Sequence, residues 1–199
     1  MSDCSILNID WFHGSDTKFK SWNLPFPTST QTARPGLLYS SERSVASHSG
    51  IRLAVARLSS NAKIINAFTD KNELEQMRSY LSSHPIYSRS INVGKDFWHA
   101  GWVSGDILRF QYNDVSLEQH FHRIISSEAE ENDIHPREMK ERFFDNLNNG
   151  YFSEICNAIK ALGYDGIFFN NSFEAAERQV KSLVLVNCHV ISSPEWISK

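Results

Sequence analysis

Apolar residues form short runs at both ends of the chain and follow helical spacing in its middle. Short apolar or alternating runs bounded by glycine, proline or polar residues are typical of strands. The strands predicted in this way cover residues 6–13, 36–41, 52–58, 164–169 and 183–186. Three of them precede the helical region and two follow it.

Helical spacing predicts helices over residues 70–81, 116–126, 136–147 and 152–162. Asp70 and Ser116 begin capping-box patterns, and Pro136 suits the first turn of a helix. The tryptophan- and glycine-rich residues 94–105 and the polar residues 170–181 are predicted to be loops. This order of elements predicts an α+β protein.

Length and charge narrow the choice of function. A chain of 199 residues predicts one domain over 1–199. Twenty Lys and Arg residues against 23 Asp and Glu residues give a formal charge of −3, which argues against a protein that mainly binds nucleic-acid phosphates. An aromatic content of 12% predicts either a large aromatic core or a site that stacks flat ligands.

Cysteine use and hydropathy bear on the compartment. Cys4, Cys156 and Cys188 are too few and too scattered for a disulfide framework or a zinc site, so we expect a reducing compartment and no metal. No apolar run approaches the length of a membrane helix, and no Sec-type signal peptide is recognisable. We therefore expect a cytoplasmic protein, or one delivered into a host cytoplasm without such a signal, that does not bind membranes.

Three segments combine apolar strands with chemically useful side chains. The first carries His13-Gly14-Ser15 at the end of a strand. The second carries Tyr39-Ser40-Ser41 at the end of the strand that starts at Gly36. The third is a Gly-Tyr-Asp-Gly-Ile stretch at 163–167, followed by a polar segment and the aliphatic strand 183–186. Each segment alone is a weak signal, but their order and spacing together are specific.

In that order the three segments resemble the ADP-ribosyltransferase family, in the branch that includes diphtheria toxin and the poly(ADP-ribose) polymerases. In that branch one strand carries His-Gly-Thr/Ser, a second carries Gly-x-Tyr-Ser-Thr or Gly-x-Tyr-Phe, and a late strand starts with Glu. The likeness covers residues 6–69 and 150–192. It implies two small, roughly perpendicular antiparallel sheets around an NAD cleft, with flanking helices.

The resemblance also implies a role for each motif residue. Tyr39 would stack on the nicotinamide ring of NAD, and His13 would hydrogen-bond a ribose hydroxyl on the adenosine side. The Gly14 backbone would hold the carboxamide, where a bare backbone permits close approach. The serines are the remaining residues expected to bind NAD: Ser15, the last residue of the first motif, and Ser40 and Ser41, one or the other of which would contact the nicotinamide amide.

The sequence departs from the family pattern at the carboxylate that stabilises the ribosyl cation. The family Glu would fall near Ser182. Glu177 and Gln179 lie just upstream and loosely resemble the Glu/Gln-x-Glu pair of arginine-modifying members, so either one is a candidate for the catalytic role.

The resulting expectation is a mono-ADP-ribosyltransferase that moves ADP-ribose from NAD to a macromolecular acceptor, most simply a protein, and releases nicotinamide. Two alternatives stay open. The first is an inactive module of the same fold that binds NAD, ADP-ribose or a partner, which the serine at 182 favours. The second is an NAD hydrolase, in which water is the acceptor.

Overall fold

The computed structural model describes residues 4–24, 35–91, 95–173 and 178–198. Its helices are α1 (Cys4–Leu7), α2 (Arg43–Ala46), α3 (Lys71–Ser82), α4 (Ser88–Ile91), α5 (Lys95–Ser104), α6 (Val115–Glu131) and α7 (Pro136–Ala161). Its strands are β1 (Trp11–Ser15), β2 (Leu37–Ser40), β3 (Arg52–Ala56), β4 (Ile64–Asn66), β5 (Gly166–Phe173), β6 (Arg178–Leu185) and β7 (Glu195–Ile197). The predicted strands 36–41 and 52–58 and the helix 70–81 are confirmed, whereas residues 6–7 belong to α1 and the first strand begins only at Trp11.

Two predicted capping boxes are wrong. The Asp70 carboxylate accepts a hydrogen bond from the Asn66 backbone N–H, at 2.8 Å, and forms no side-chain cap on α3. Helix α6 is capped by Asp114, whose carboxylate accepts from the backbone N–H groups of Ser116 and Leu117. An aspartate one residue before the helix satisfies these two N–H groups, so the Ser116 pattern is not needed.

The helical region is more continuous than the sequence predicts. Residues 136–147 and 152–162 belong to one 26-residue helix, α7, which His135 caps through its imidazole. Residues 95–104, predicted as part of a loop, form α5, where Trp98 and Trp102 are buried. Both tryptophans pack in the core between the helices and the sheet, and this burial outweighs the weak helix propensity of glycine.

The described strands form one open seven-stranded sheet in the order β4-β5-β6-β2-β1-β3-β7. The expectation of two separate antiparallel sheets is therefore not met. Strand β2 pairs with β6 from Leu37–Leu185 to Ser40–Ser182, which joins the early and late strands directly. The β4–β5 pair is parallel and the other pairs are antiparallel, so the fold is α+β with a mixed sheet.

Each face of the sheet has its own apolar core. The face covered by α3, α5, α6 and α7, here called the helix face, includes Ile167, Phe169 and Val184. The opposite face, here called the terminal face, includes Trp11, Tyr39 and Leu183, and it is covered by segments near both chain ends. The residues that cover the terminal face include Ile6, Trp22, Val190 and Ile191.

The Gly-Tyr-Asp-Gly stretch has a structural explanation. Gly163 ends α7 with a φ of 76°, a left-handed conformation that favours glycine. The Asp165 carboxylate accepts hydrogen bonds from the Lys63 backbone N–H, at 2.9 Å, and from the Asn187 side chain, at 2.7 Å. Asp165 thus ties the start of β5 to the segments that flank β4 and β6.

Candidate functional site

His13 and Tyr39 lie side by side on the terminal face. Strands β1 and β2 are antiparallel, with Phe12 opposite Ser40, so the residues after Phe12 and before Ser40 are neighbours across the pair. The two ring centroids are 5.5 Å apart, with an angle of 52° between the ring planes. The prediction that these two side chains lie together is confirmed, while their roles toward NAD stay predictions.

His13 has a defined tautomer. Its Nδ1 lies 2.9 Å from the Leu38 carbonyl oxygen, and since a carbonyl only accepts, Nδ1 carries the proton. Burial lowers the pKa of His13 below 6.5, although the bond to Leu38 acts in the opposite direction. The imidazole is therefore neutral near pH 7, and Nε2 is the nitrogen with the acceptor lone pair.

Tyr39 is enclosed by protein. Its side chain is 1% exposed, and its hydroxyl is buried without a hydrogen-bond partner among the described residues. Burial raises the pKa of the Tyr39 phenol well above 10.0, and the nearby Cys188 thiol raises it further. The phenol is thus neutral at physiological pH, and its flat face is covered in this conformation.

Other aromatic side chains provide this cover. Trp22 lies 5.4 Å from His13 and 5.2 Å from Tyr39, edge-on to both rings. Phe19 lies 4.9 Å from Trp22 and 5.0 Å from Trp196. These rings form one group, here called the five-ring cluster: His13, Phe19, Trp22, Tyr39 and Trp196.

Gly14 and Ser15 serve local structure in this conformation. A Cβ atom on Gly14 would collide with the Ala46 carbonyl oxygen, so the glycine permits a close approach of α2, while the role of its backbone toward NAD stays a prediction. The Ser15 hydroxyl closes a turn with Thr17, through bonds to its carbonyl and its N–H at 3.0 and 3.3 Å. Both positions shape the chain immediately beside His13.

Ser40 does not face the Tyr39 side of the sheet. Successive strand residues alternate between faces, and Ser40 is 6% exposed, with its hydroxyl accepting from the Glu42 N–H at 3.0 Å. Ser41 N–H donates to the Lys181 carbonyl at 2.9 Å. Ser40 ends β2 and Ser41 begins the turn into α2, while their contacts with nicotinamide stay predictions.

The structure describes only one of the two residues proposed for the catalytic role, Gln179. Glu177 lies outside the described residues. Gln179 is exposed on β6. It lies four positions before Leu183 on the same face, which places it about 13 Å from Leu183 along the strand. Its side-chain oxygen accepts from the Asn170 amide at 3.0 Å. The structure therefore does not bring Gln179 next to the Tyr39–Leu183 pair.

Sequence reasoning missed Trp22, Phe19 and Trp196 as site residues. The only signal for them is the high aromatic content, which predicts a stacking site or an aromatic core without saying which rings belong to it. An open depression of about 600 Å³ was also missed, and the residues that line it follow directly after the second motif. Its lining residues are Glu42, Arg43, Ser44 and Ser47.

The described part of the chain contains no group of three or more His, Cys, Asp or Glu side chains that could hold a metal ion. Among those same residues, no helix has both the length and the apolar character needed to cross a membrane. No family model, curated protein or solved structure matches the chain.

Proposed function

We propose that this chain is a variant of the ADP-ribosyltransferase fold, with the strands of its motifs in one continuous sheet, and that it transfers ADP-ribose from NAD to a protein acceptor, releasing nicotinamide. The observation that carries the proposal is the contact between His13 and Tyr39, 5.5 Å apart on adjacent antiparallel strands. The order β6-β2-β1 also makes the strands of the three motifs immediate neighbours. These residues and this order are what the motif resemblance requires of an NAD site.

In the proposed reaction, the bond between nicotinamide and the ribose C1′ breaks, and its electron pair leaves with nicotinamide. The ribose becomes an oxocarbenium-like cation, and a lone pair of the acceptor forms the new bond to C1′ while the acceptor loses a proton. Tyr39 provides the flat face for the leaving ring, and the neutral His13 accepts from a ribose hydroxyl. A carboxylate near C1′ favours the cationic transition state, and Glu177 is the proposed source.

A binding module of the same fold is the second candidate function. Ser182, where the family pattern has Glu, is 2% exposed, and its hydroxyl donates to the Val180 carbonyl at 3.3 Å. Gln179 is a neutral amide that is already engaged by Asn170. A chain that keeps the His–Tyr pair without a carboxylate beside it would bind NAD or ADP-ribose without turnover.

The deciding experiment measures nicotinamide release from NAD by the purified protein, alone and with cell lysate, together with labelled ADP-ribose transfer to protein. Release that requires lysate and labels protein supports the transferase. Release without any acceptor supports an NAD hydrolase instead. NAD binding without release supports the binding module, and the absence of binding contradicts the proposal.

Three variants locate the carboxylate. We expect Glu177→Gln to lower turnover by two to three orders of magnitude, since a group that stabilises developing charge contributes roughly 3 to 4 kcal/mol. NAD affinity should change little, because the interaction is made mainly in the transition state. Gln179→Ala tests the alternative position, and Glu138→Gln, on the exposed surface of α7 where it pairs with Arg142, is the matched control. Full activity in both Glu177→Gln and Gln179→Ala would contradict this assignment.

A further inference from the structure

One tryptophan is buried in an irregular segment whose polar residues are exposed. Residues 16–24, here called the Trp22 segment, follow β1 and contain no helix or strand. The side chains of Lys20, Ser21 and Asn23 are exposed, whereas Trp22 is only 6% exposed. The segment therefore inserts the Trp22 ring into the terminal face of the sheet, with Phe19 half-buried beside it.

Reciprocal hydrogen bonds fasten the Trp22 segment to the C-terminal part of the chain. The Trp22 indole N–H donates to the Ser192 carbonyl oxygen at 2.8 Å. In return, the Trp196 indole N–H donates to the Phe19 carbonyl oxygen at 3.0 Å. Because each side supplies one donor and one acceptor, the two segments hold each other in place over His13 and Tyr39.

Trp22 occupies the space that a stacked ligand ring would need. The plane of its ring is inclined at 87° to the His13 ring and at 70° to the Tyr39 ring, and the Trp22 and Tyr39 ring centroids are 5.2 Å apart. A planar ring stacked on Tyr39 lies within a few ångströms of the phenol face, the distance at which aromatic partners pack. Together with the 1% exposure of Tyr39, this geometry means that a ligand ring and the Trp22 indole compete for one position.

We propose that the Trp22 segment is a latch that holds the ring-binding site closed, and that NAD enters only when Trp22 swings out. This inference rests on the proposed function for its ligand, while the latch itself rests on the five-ring cluster and the two indole hydrogen bonds. The apparent NAD affinity is the affinity of the open form multiplied by the fraction of molecules that are open. Weakening the latch raises that fraction and therefore tightens apparent binding.

The end of the segment next to β1 provides a point about which the rest of the segment can move without unfolding the sheet. Beyond the indole bonds, the Asp16 carboxylate accepts from the Ile51 N–H at 3.3 Å, and Ser15 closes its turn with Thr17. These contacts lie at the β1 end of the segment and can act as its fixed end. Segments with few buried contacts open at a lower free-energy cost than the sheet strands do.

Opening can be followed without NAD by trypsin, because Lys18 and Lys20 are exposed within the segment. Trp22→Ala should speed cleavage after these two lysines on the order of tenfold, because it removes the ring and its hydrogen bond. Trp22→Phe and Trp196→Phe each keep an aromatic ring and lose one indole bond, so they should give intermediate rates. Phe68→Ala is the control, because Phe68 packs on Phe168 on the same face, outside the five-ring cluster.

Equilibrium NAD binding to the same proteins completes the test. We expect Trp22→Ala to bind NAD about tenfold more tightly than the unmodified protein, and NAD to speed cleavage after Lys18 and Lys20 in the unmodified protein. Equal NAD affinities in the two proteins would overturn the latch and leave the proposed function standing. If no variant binds NAD, the proposed function fails, and cleavage alone decides the latch.

The sites at which trypsin cuts distinguish a variant that opens the latch from one that merely destabilises the whole protein. Circular dichroism melting reports whether Trp22→Ala and Phe68→Ala are destabilised to a similar degree. Faster cleavage confined to Lys18 and Lys20 in the Trp22 and Trp196 variants supports the latch. Cleavage that rises equally at all sites, or equally in Phe68→Ala, overturns it.

Discussion

Ser182 lies directly opposite Ser40 in the antiparallel pair of β2 and β6, and both side chains are buried. Ser182 sits between Val180 and Val184 on the helix face, whereas the adjacent Leu183 faces Tyr39 across the same strand pair. The position where the family pattern has Glu therefore points away from the His13–Tyr39 pair.

Introducing a carboxylate at this position should damage the fold. We expect Ser182→Glu to lower the free energy of unfolding by about 3 kcal/mol or more, since it buries an uncompensated charge. Ser182→Ala should stay within about 1 kcal/mol of the unmodified protein, because it loses one long hydrogen bond. Urea unfolding measures both. A stable Ser182→Glu protein with increased NAD turnover would show that the side chain faces the site.

Gly14 and Gly163 should respond differently to the same substitution. A Cβ on Gly14 would collide with the Ala46 backbone, so Gly14→Ala should cost about 3 kcal/mol or displace α2. A Cβ on Gly163 meets no atom within 4 Å, so Gly163→Ala should cost only the left-handed strain, about 1–2 kcal/mol. Thermal and urea unfolding of the two variants check this order, and equal losses would contradict it.

Substitutions of Tyr39 can separate the contribution of its ring from that of its hydroxyl. Because the buried hydroxyl has no partner among the described residues, Tyr39→Phe should leave the unfolding free energy unchanged or raise it by up to about 1 kcal/mol. If the ring stacks on nicotinamide, Tyr39→Phe should also keep the NAD-induced rise in melting temperature. That rise corresponds to about 2.7 kcal/mol at 100 times the dissociation constant.

Tyr39→Leu is the matched variant, because it retains apolar volume and removes the flat face. We expect its melting temperature to be insensitive to NAD. An equal NAD shift in the Phe and Leu variants would show that stacking on residue 39 does not contribute to binding.

The sequence predicts those helices and strands well that depend only on the local spacing of apolar residues. Strand β2 and helix α3 follow from local spacing. The continuity of α7 does not, because it depends on distant partners: the Asn148 side chain accepts from the Phe110 N–H at 2.8 Å, and Gly150 lies against the Tyr87 hydroxyl. These contacts stabilise a helix through residues that locally favour a break.

The polar residues 170–181 illustrate the same limit in the sheet. They were predicted as a loop, yet the described ones extend β5 and β6, with Asn170 opposite Lys181 and Ser172 opposite Gln179. Polar side chains are compatible with a strand whose one face is open to water. Their pairing across the two strands is a tertiary property that composition does not reveal.

The candidate site could also be predicted only in part from the sequence. The motifs correctly placed His13 beside Tyr39, because two short antiparallel strands leave few other arrangements. Trp22 was not predictable, since its burial depends on Ser192, 170 positions away in the chain. Two aromatic residues in a short polar segment, Phe19 and Trp22, carry no periodic signal that would indicate such a contact.

The lowered pKa of His13 links the candidate site to stability at acid pH. Above about pH 6.5 the residue is neutral in both the folded and unfolded states, so it adds no pH dependence. As the pH falls below 6.5, the unfolded state binds the proton first, and the free energy of unfolding decreases until the pH passes the folded-state pKa.

His13→Asn keeps an N–H that can donate to the Leu38 carbonyl and removes the titration. Urea unfolding at about pH 7.5 and about pH 5 should therefore show a smaller acid loss in His13→Asn than in the unmodified protein. An equal loss in both proteins would assign the acid sensitivity to other groups and contradict the buried, neutral state of His13.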